Sequence, residues 1–427
     1  MTSEIAIMNA QAVALAADSA VTVRQLTAPK IYNTANKLFC LSKHAPVAAM
    51  VYGQAQLTGV PWETVIKAFR RQLGTTTYAT VRQYGEALIS YMGADSLLIP
   101  RHLQEFAIGE SSAGYCHSLV QDFEKSVEAH IEAHGSISQT ELRRLLRKTL
   151  QDRQSDLEGL AQLPGLDETF GDSLVREFRV ALDDAIALTF EKYPLTAADK
   201  SKLRRLLALV HSRDIFPDEF SGLVVAGFGE EEFFPALCSY RIHGVWLNMV
   251  KRKAEHDWCI GRDSSACIFP FAQSEMVRSF MEGIHPEYRD VLDQALIGFL
   301  DGLAAAIRPA LGLSDTDYDS LESNLKSAAA EVRSKFGDRL EEYSQDSHVS
   351  PITSVVSILP KDELAAMAEA LVNLTSFKRR VTMDPETVGG PIDVAVISKG
   401  DGFIWIKRKH YFRPELNPQF FATMQER

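Results

Sequence analysis

Cysteine is scarce in this chain. Cys40, Cys116, Cys238, Cys259 and Cys267 form no C-x-x-C pair and are odd in number. That speaks against a disulfide framework and, with no secretory leader in view, points to a reducing cytoplasm. Long apolar runs are missing too, since nothing approaches the ~18 consecutive apolar residues of a membrane helix. The opening "MTSEIAIMNAQAVALAAD" is apolar, but it has no basic start and carries Glu4 and Asp18, so it fails as a signal peptide. Basic excess is also absent: 45 Lys and Arg stand against 56 Asp and Glu, for a net charge of −11. Neither nucleic acid nor a membrane is expected as a partner, because both reward basic surfaces. The basic runs at 251–253, 378–380 and 407–409 read as solvated faces or strand edges. No G-x-x-x-x-G-K-[ST] phosphate loop, G-x-S-x-G elbow or H-E-x-x-H pair occurs, and "GESSAG" at 109–114 has the wrong spacing for an elbow. His211, His243 and His256 read as surface or core residues, so no metal and no cofactor are expected.

What is present is an ordinary globular composition, 46% apolar and 24% charged over 427 residues. That length holds two or three domains, or one domain with a large insertion. Strand-like segments come as four hairpins: 4–8 with 12–17, 37–42 with 46–52, 222–227 with 235–242, and a fourth in "PIDVAVISKGDGFIWIKRK" that turns at Lys399-Gly400-Asp401-Gly402. Residues 13–17, 47–51 and 392–397 are apolar at nearly every position, the mark of strands covered on both faces. Helices are expected from Pro61, over roughly 80–93, and over roughly 272–284, 287–308, 315–345 and 361–377. Residues 97–215 read as almost wholly helical, with Leu119, Phe123, Val127 and Ile131 forming one stripe. The expected organisation is a core in two parts, 1–96 and 216–427, interrupted by a helical insertion at 97–215.

The start of the chain carries the chemistry. Removal of Met1, which a small second residue permits, would leave Thr2 with its hydroxyl and a free amine on one residue. Such a threonine can be its own nucleophile and carry its own base. An α-amine has an unperturbed pKa of roughly 7.7–8, within reach of neutral pH. Taken alone, Thr2 also reads as a residue suited to efficient Met removal, Asp18 as a turn acid at a strand end, and Lys37 as a solvated strand-entry lysine.

In combination these residues resemble the start of proteasome β-type subunits and their bacterial heat-shock relatives, which are N-terminal nucleophile hydrolases. The stretch from Thr2 through "AVALAADSAVT" is similar to that family's opening hairpin, and Asp18 follows Thr2 at the family's spacing of sixteen residues. "NKLFCLSKHAPVAAMVYG" supplies a lysine entering a strand, Lys37, and a strand ending at Gly53. Lys30 in "PKIYN" fits the lysine pattern as well; Lys37 is preferred because its strand runs on toward the one ending at Gly53. "LVVAGFGEEEFFPALCSYRI" and "TVGGPIDVAVISKGDGFIWI" resemble later pieces of the family more weakly. The resemblance implies an α+β fold, a four-layer αββα sandwich of antiparallel sheets, and a catalytic set of Thr2, Asp18, Lys37 and Gly53. In that set Asp18 holds Lys37, Lys37 eases proton transfer from the Thr2 hydroxyl, and the Gly53 N–H binds the oxyanion. The family's accessory Asp and Ser have no direct counterparts, because Pro385 and Val388 stand in their places. Asp384, Glu386, Thr387 and Ser274 are the substitutes within reach.

The function so implied is an N-terminal threonine amidohydrolase, foremost a peptidase, acting on a peptide or small amide through an acyl-enzyme. Two alternatives remain open at this point: a catalytically silent scaffold or assembly subunit, and a small-molecule amidase or acyltransferase. Homo-oligomerisation is a further implication of the resemblance. Any ATPase partner would be a separate chain, since no ATPase segment is present.

Overall fold

The computed structural model describes residues 2–23, 30–94, 97–193, 195–261, 264–311, 315–382, 388–419 and 421. The strands are β1 (Ser3–Asn9), β2 (Val13–Ala17), β3 (Val21–Val23), β4 (Lys30–Tyr32), β5 (Leu38–Cys40), β6 (Val47–Gly53) and β7 (Gln56–Leu57). They continue with β8 (Val60–Pro61), β9 (Ser221–Gly227), β10 (Ala236–Trp246), β11 (Met249–Cys259), β12 (Ala266–Ala272), β13 (Asp393–Ser398) and β14 (Gly402–Lys407). The helices begin with α1 (Trp62–Leu73), α2 (Val81–Ala94), α3 (Arg101–His134), α4 (Gln139–Glu158), α5 (Phe170–Glu177) and α6 (Arg179–Thr189). They end with α7 (Ala197–Ser212), α8 (Glu275–Glu282), α9 (Pro286–Leu311), α10 (Asp315–Ser344), α11 (Ser350–Val356) and α12 (Lys361–Val381). No described helix is long and apolar enough to cross a membrane.

The chain divides into two compact units, one of residues 1–38, 233–235 and 259–427, the other of residues 39–232 and 236–258. The first unit holds an antiparallel sheet in the order β12-β1-β2-β13-β14. Its centre is the hairpin of β1 and β2, paired Ile5 to Ala16 and Ile7 to Ala14. Asn9 makes the turn: its side-chain oxygen accepts from the Gln11 and Ala12 amides at 2.9 and 3.3 Å, an Asx turn. The Asn9 amide group then donates to the Val356 and Leu359 carbonyls at 3.0 and 2.9 Å, pinning the hairpin to the end of α11. Side chains alternate along a strand, so Ile5 and Ile7 share one face. There they pack with Ala14, Ala16, Val394 and Val396 against Leu364, Ala368, Leu371 and Val372 of α12. The alanines of β2 give the helix room to lie close. Thr2, Glu4 and Ala6 fall on the opposite face, and they are buried too.

The second unit has its own antiparallel sheet, β11-β10-β9-β6-β5. Val47, Ala49, Val51, Leu223 and Val225 of this sheet pack with Trp62, Ile66, Tyr84 and Leu88 of α1 and α2. A separate core binds α3 to α7 through Leu119, Phe123, Leu150, Leu174, Leu182 and Leu203. The helices start where the sequence can cap them. The Ser138 hydroxyl accepts from the Glu141 amide at 3.2 Å, and Thr196 with Asp199 forms a capping box.

The architecture is thus mixed α+β with antiparallel sheets, and all four expected hairpins form. That is the coarser part of the fold expected from the sequence; the four-layer stacking is a finer claim than the two sheets carry. Six strands go unread in the sequence: the short pairs β3–β4 and β7–β8, and β11 and β12 of the two larger sheets. The last two are edge strands. Of these, β11 is polar and largely exposed along "MVKRKAEHDWC", and β12 contains Pro270, which a sheet tolerates at an edge.

Candidate functional site

The β1–β2 hairpin brings its two ends together. The Ser3 amide donates to Asp18 Oδ1 at 3.1 Å, and the Asp18 amide donates to the Ser3 carbonyl at 3.1 Å. On the other side of β1 the Gln273 amide donates to the Thr2 carbonyl at 3.1 Å, extending the pairing with β12 to Thr2. Thr2 is 3% exposed.

Asp18 is held from several directions. Besides the Ser3 amide it accepts from the amides of Ala20 at 3.2 Å and Gly389 at 3.0 Å, both on Oδ2. Lys37 donates its ammonium to Oδ1. Lys37, from the segment leading into β5, is itself 5% exposed. An ion pair buried this deeply is maintained only when further hydrogen bonds satisfy the carboxylate, and here three backbone amides do so.

Glu4 shares the face of β1 with Thr2, two residues along. Its Oε1 lies 3.2 Å from Lys37 Nζ, and its side chain is fully enclosed. Lys37 and the Thr2 hydroxyl are the groups that approach its oxygens, and no backbone amide among the described residues does so. Burial pushes the Glu4 carboxyl up to about 8; Lys37 pulls it back, Asp18 pushes it further up, and the Thr2 hydroxyl pulls it down. One ammonium thus faces two buried carboxyl groups. Asp18 accepts from Lys37 and three backbone amides, whereas burial favours the protonated form of Glu4.

The structure places the remaining sequence candidates as follows. Lys30 lies on the exposed strand β4, paired with Val23, whereas Lys37 meets Asp18. Ser274 follows Gln273, the residue paired to Thr2, and stands at the N-terminus of α8. Gly389, from the Gly-Gly pair, donates its amide to Asp18, and Val388 is buried beside it in sequence. Asp384, Glu386 and Thr387 lie outside the described residues, as does Pro385. Gly53 ends β6 in the second unit, with φ +79°. A Cβ there would come 2.2 Å from the Phe220 carbonyl oxygen, so the local backbone alone requires glycine. Tyr52, before it, is buried and donates its hydroxyl to Glu255 at 3.1 Å, while Gln54, after it, is exposed.

Glu4 is the residue that the sequence reading missed. An acid in a strand reads as a solvent-facing residue. The available signal was its place: two residues from Thr2, on the same face, in a strand otherwise made of apolar and small side chains.

No family model matches this chain, and no curated protein matches it. Among solved structures it aligns with the helical assembly of the Anbu complex from Pseudomonas aeruginosa at 8% identity and a TM-score of 0.30, over 99% of this chain and 94% of that one. It also aligns with Anbu (ancestral beta-subunit) from Yersinia bercovieri at 9% identity and a TM-score of 0.27, over 99% and 95%. Likeness at that level assigns no family. The resemblance to proteasome β-type subunits and N-terminal nucleophile hydrolases is therefore corrected: it rests on a short opening stretch, and nothing across the whole chain supports membership. The physical reason is that a hairpin closing on a buried acid, followed by a lysine that pairs with it, is a local pattern.

Proposed function

We propose that this protein is an N-terminal threonine amidohydrolase, with Thr2 as nucleophile once whatever precedes it has been removed. The observation that carries the reading is the enclosed cluster of Lys37, Asp18 and Glu4 gathered at Thr2. Buried ionisable groups beside a hydroxyl, one of them a carboxyl raised by burial, are the arrangement that nucleophilic catalysis uses. In the reaction the Thr2 Oγ attacks an amide carbonyl, and its proton passes to a base within the site, the α-amine of the same residue being one candidate. The Lys37 ammonium favours the developing alkoxide and is held in place by Asp18. The amine of the substrate leaves, and water releases the acyl group from Thr2. A peptide and a small amide are equally compatible with this chemistry.

The reading is tested by hydrolysis of a mixed peptide and amide library. Thr2→Ala should abolish turnover and Thr2→Ser should retain a measurable part of it. Undiminished turnover by Thr2→Ala would end the proposal. A second reading, a catalytically silent scaffold, is favoured by the burial of Thr2, which leaves its side chain little access to a substrate. It predicts no turnover by any form of the protein.

A further inference from the structure

We propose that Glu4 is a further catalytic residue, the group that takes the proton of the Thr2 hydroxyl during attack and returns it to the leaving group. This deepens the threonine reading and rests on it. Three observations converge. Glu4 lies on the same face of β1 as Thr2, and the two side chains interact. Its carboxyl is enclosed, meets Lys37 Nζ at 3.2 Å and the Thr2 side chain, and among the described residues accepts from no backbone amide. The neighbouring acid, Asp18, has its oxygens taken by Lys37 and three backbone amides, so it cannot serve as the acceptor. Two carboxyl groups placed side by side in such different surroundings divide the labour, one as fixed counter-charge and the other as proton carrier.

Charge balance points the same way. The groups facing Glu4 are Lys37, Asp18 and the Thr2 hydroxyl. With both acids ionised and one lysine, the enclosed site carries one uncompensated negative charge, and Glu4 relieves it by holding a proton. Freeing the Thr2 amine adds a second cation beside the two acids. An α-ammonium has no lone pair to accept a proton, whereas Glu4, with its charge now balanced, can accept one. The steps balance as follows. The Thr2 O–H proton moves to Glu4 as the Oγ–carbon bond forms. Glu4 gives that proton to the substrate nitrogen as the carbon–nitrogen bond breaks. Glu4 then takes a proton from water as water attacks the ester, and returns it to Thr2 Oγ as the acyl group departs.

The experiment follows the rate at which a threonine-reactive β-lactone acylates Thr2 in the full chain, read by mass spectrometry over a pH series. Wild type, Glu4→Gln and Glu4→Asp are compared. In wild type the rate should fall on acidification as Glu4 becomes protonated. Glu4→Gln should be slower by about 100-fold or more and should lose that pH-dependent limb, while Glu4→Asp should restore part of the rate and the limb. Glu4→Gln should also melt at a higher temperature, since it removes an enclosed acid, so a slow rate cannot be ascribed to unfolding. Acylation of Glu4→Gln at the wild-type rate with the wild-type pH profile would overturn the role of Glu4 and leave the threonine reading standing. Absence of an adduct on wild type with a free Thr2 amine would overturn the threonine reading and this inference together. A measurement on wild type alone guards against a misfolded variant: with carboxyl-¹³C glutamate and a free Thr2 amine, the Glu4 resonance should titrate at the same midpoint as the acidic limb of the acylation rate. A Glu4 midpoint that does not coincide with that limb would contradict the proposal.

Discussion

Lys37 is the residue on which the site balances. Its ammonium reaches Asp18 directly and stands 3.2 Å from Glu4, with all three side chains enclosed. Replacing it by methionine keeps most of the volume but leaves two buried acids without their cation. Breaking a buried pair by removing one partner costs about 3–5 kcal/mol. Lys37→Met should therefore lower the urea midpoint of the first unit strongly, and a Lys30→Met control on the exposed strand β4 should not. Asp18 and Lys37 could be read in the sequence because each sits at a strand boundary, where the pattern of apolar residues breaks. Glu4 could not, because its protonation depends on what encloses it, and enclosure is a property of the folded chain. Its linkage has a definite sign. A carboxyl raised to about 8 from an ordinary 4.5 stabilises the fold fully only below 4.5, and that contribution is lost as pH rises toward 8. The site is held together at a cost in stability that a glutamine would not incur.

At the scale of elements, α12 and the β1–β2 hairpin support the site from behind. Leu364 of α12 is fully buried against Ile5, Ile7 and the β2 alanines. Leu364→Ala should cost about 2–5 kcal/mol, the range for a leucine truncated in a closed core, measured by urea unfolding. In the second unit the sharp exit from β6 is fixed by Gly53, and Gly53→Ala should destabilise by roughly 1–3 kcal/mol through backbone strain, before any clash with Phe220 is counted. A third element-scale prediction concerns the junction of α3, α7 and β10. Ser112 and Ser111 pair with His211 and His243 at 3.0 and 3.1 Å, and among the described residues neither imidazole Nδ1 has a partner. Burial drives both histidines below the ordinary 6.5, His243 to about 3, with the Lys251 ammonium adding to the effect. Their contribution to stability is present above 6.5 and is lost as pH falls below it, by about 1.4 kcal/mol per pH unit for each histidine. The urea midpoint should fall on acidification, and His243→Phe should make that fall shallower. The hairpins could be read because alternation, apolar runs and turn residues are local signals. The edge strands β11 and β12 could not, because an edge is defined by the neighbour it lacks, and their polar residues and proline are permitted only by that position.

At the scale of the molecule, two units each close their own antiparallel sheet and core within one chain. The net charge of −11 and the composition place it among ordinary globular proteins and say nothing of its reaction. Family likeness does not supply the reaction either, since the structural neighbours align at TM-scores of 0.30 and 0.27. The functional account therefore stands on Thr2 and the three ionisable groups beside it. It is tested most directly by the intact mass of the natively expressed protein before and after treatment with a threonine-reactive β-lactone. The account predicts a chain whose first residue is Thr2 and a single added lactone mapping to that residue. A chain in which Thr2 remains preceded by another residue and takes up no lactone would contradict it.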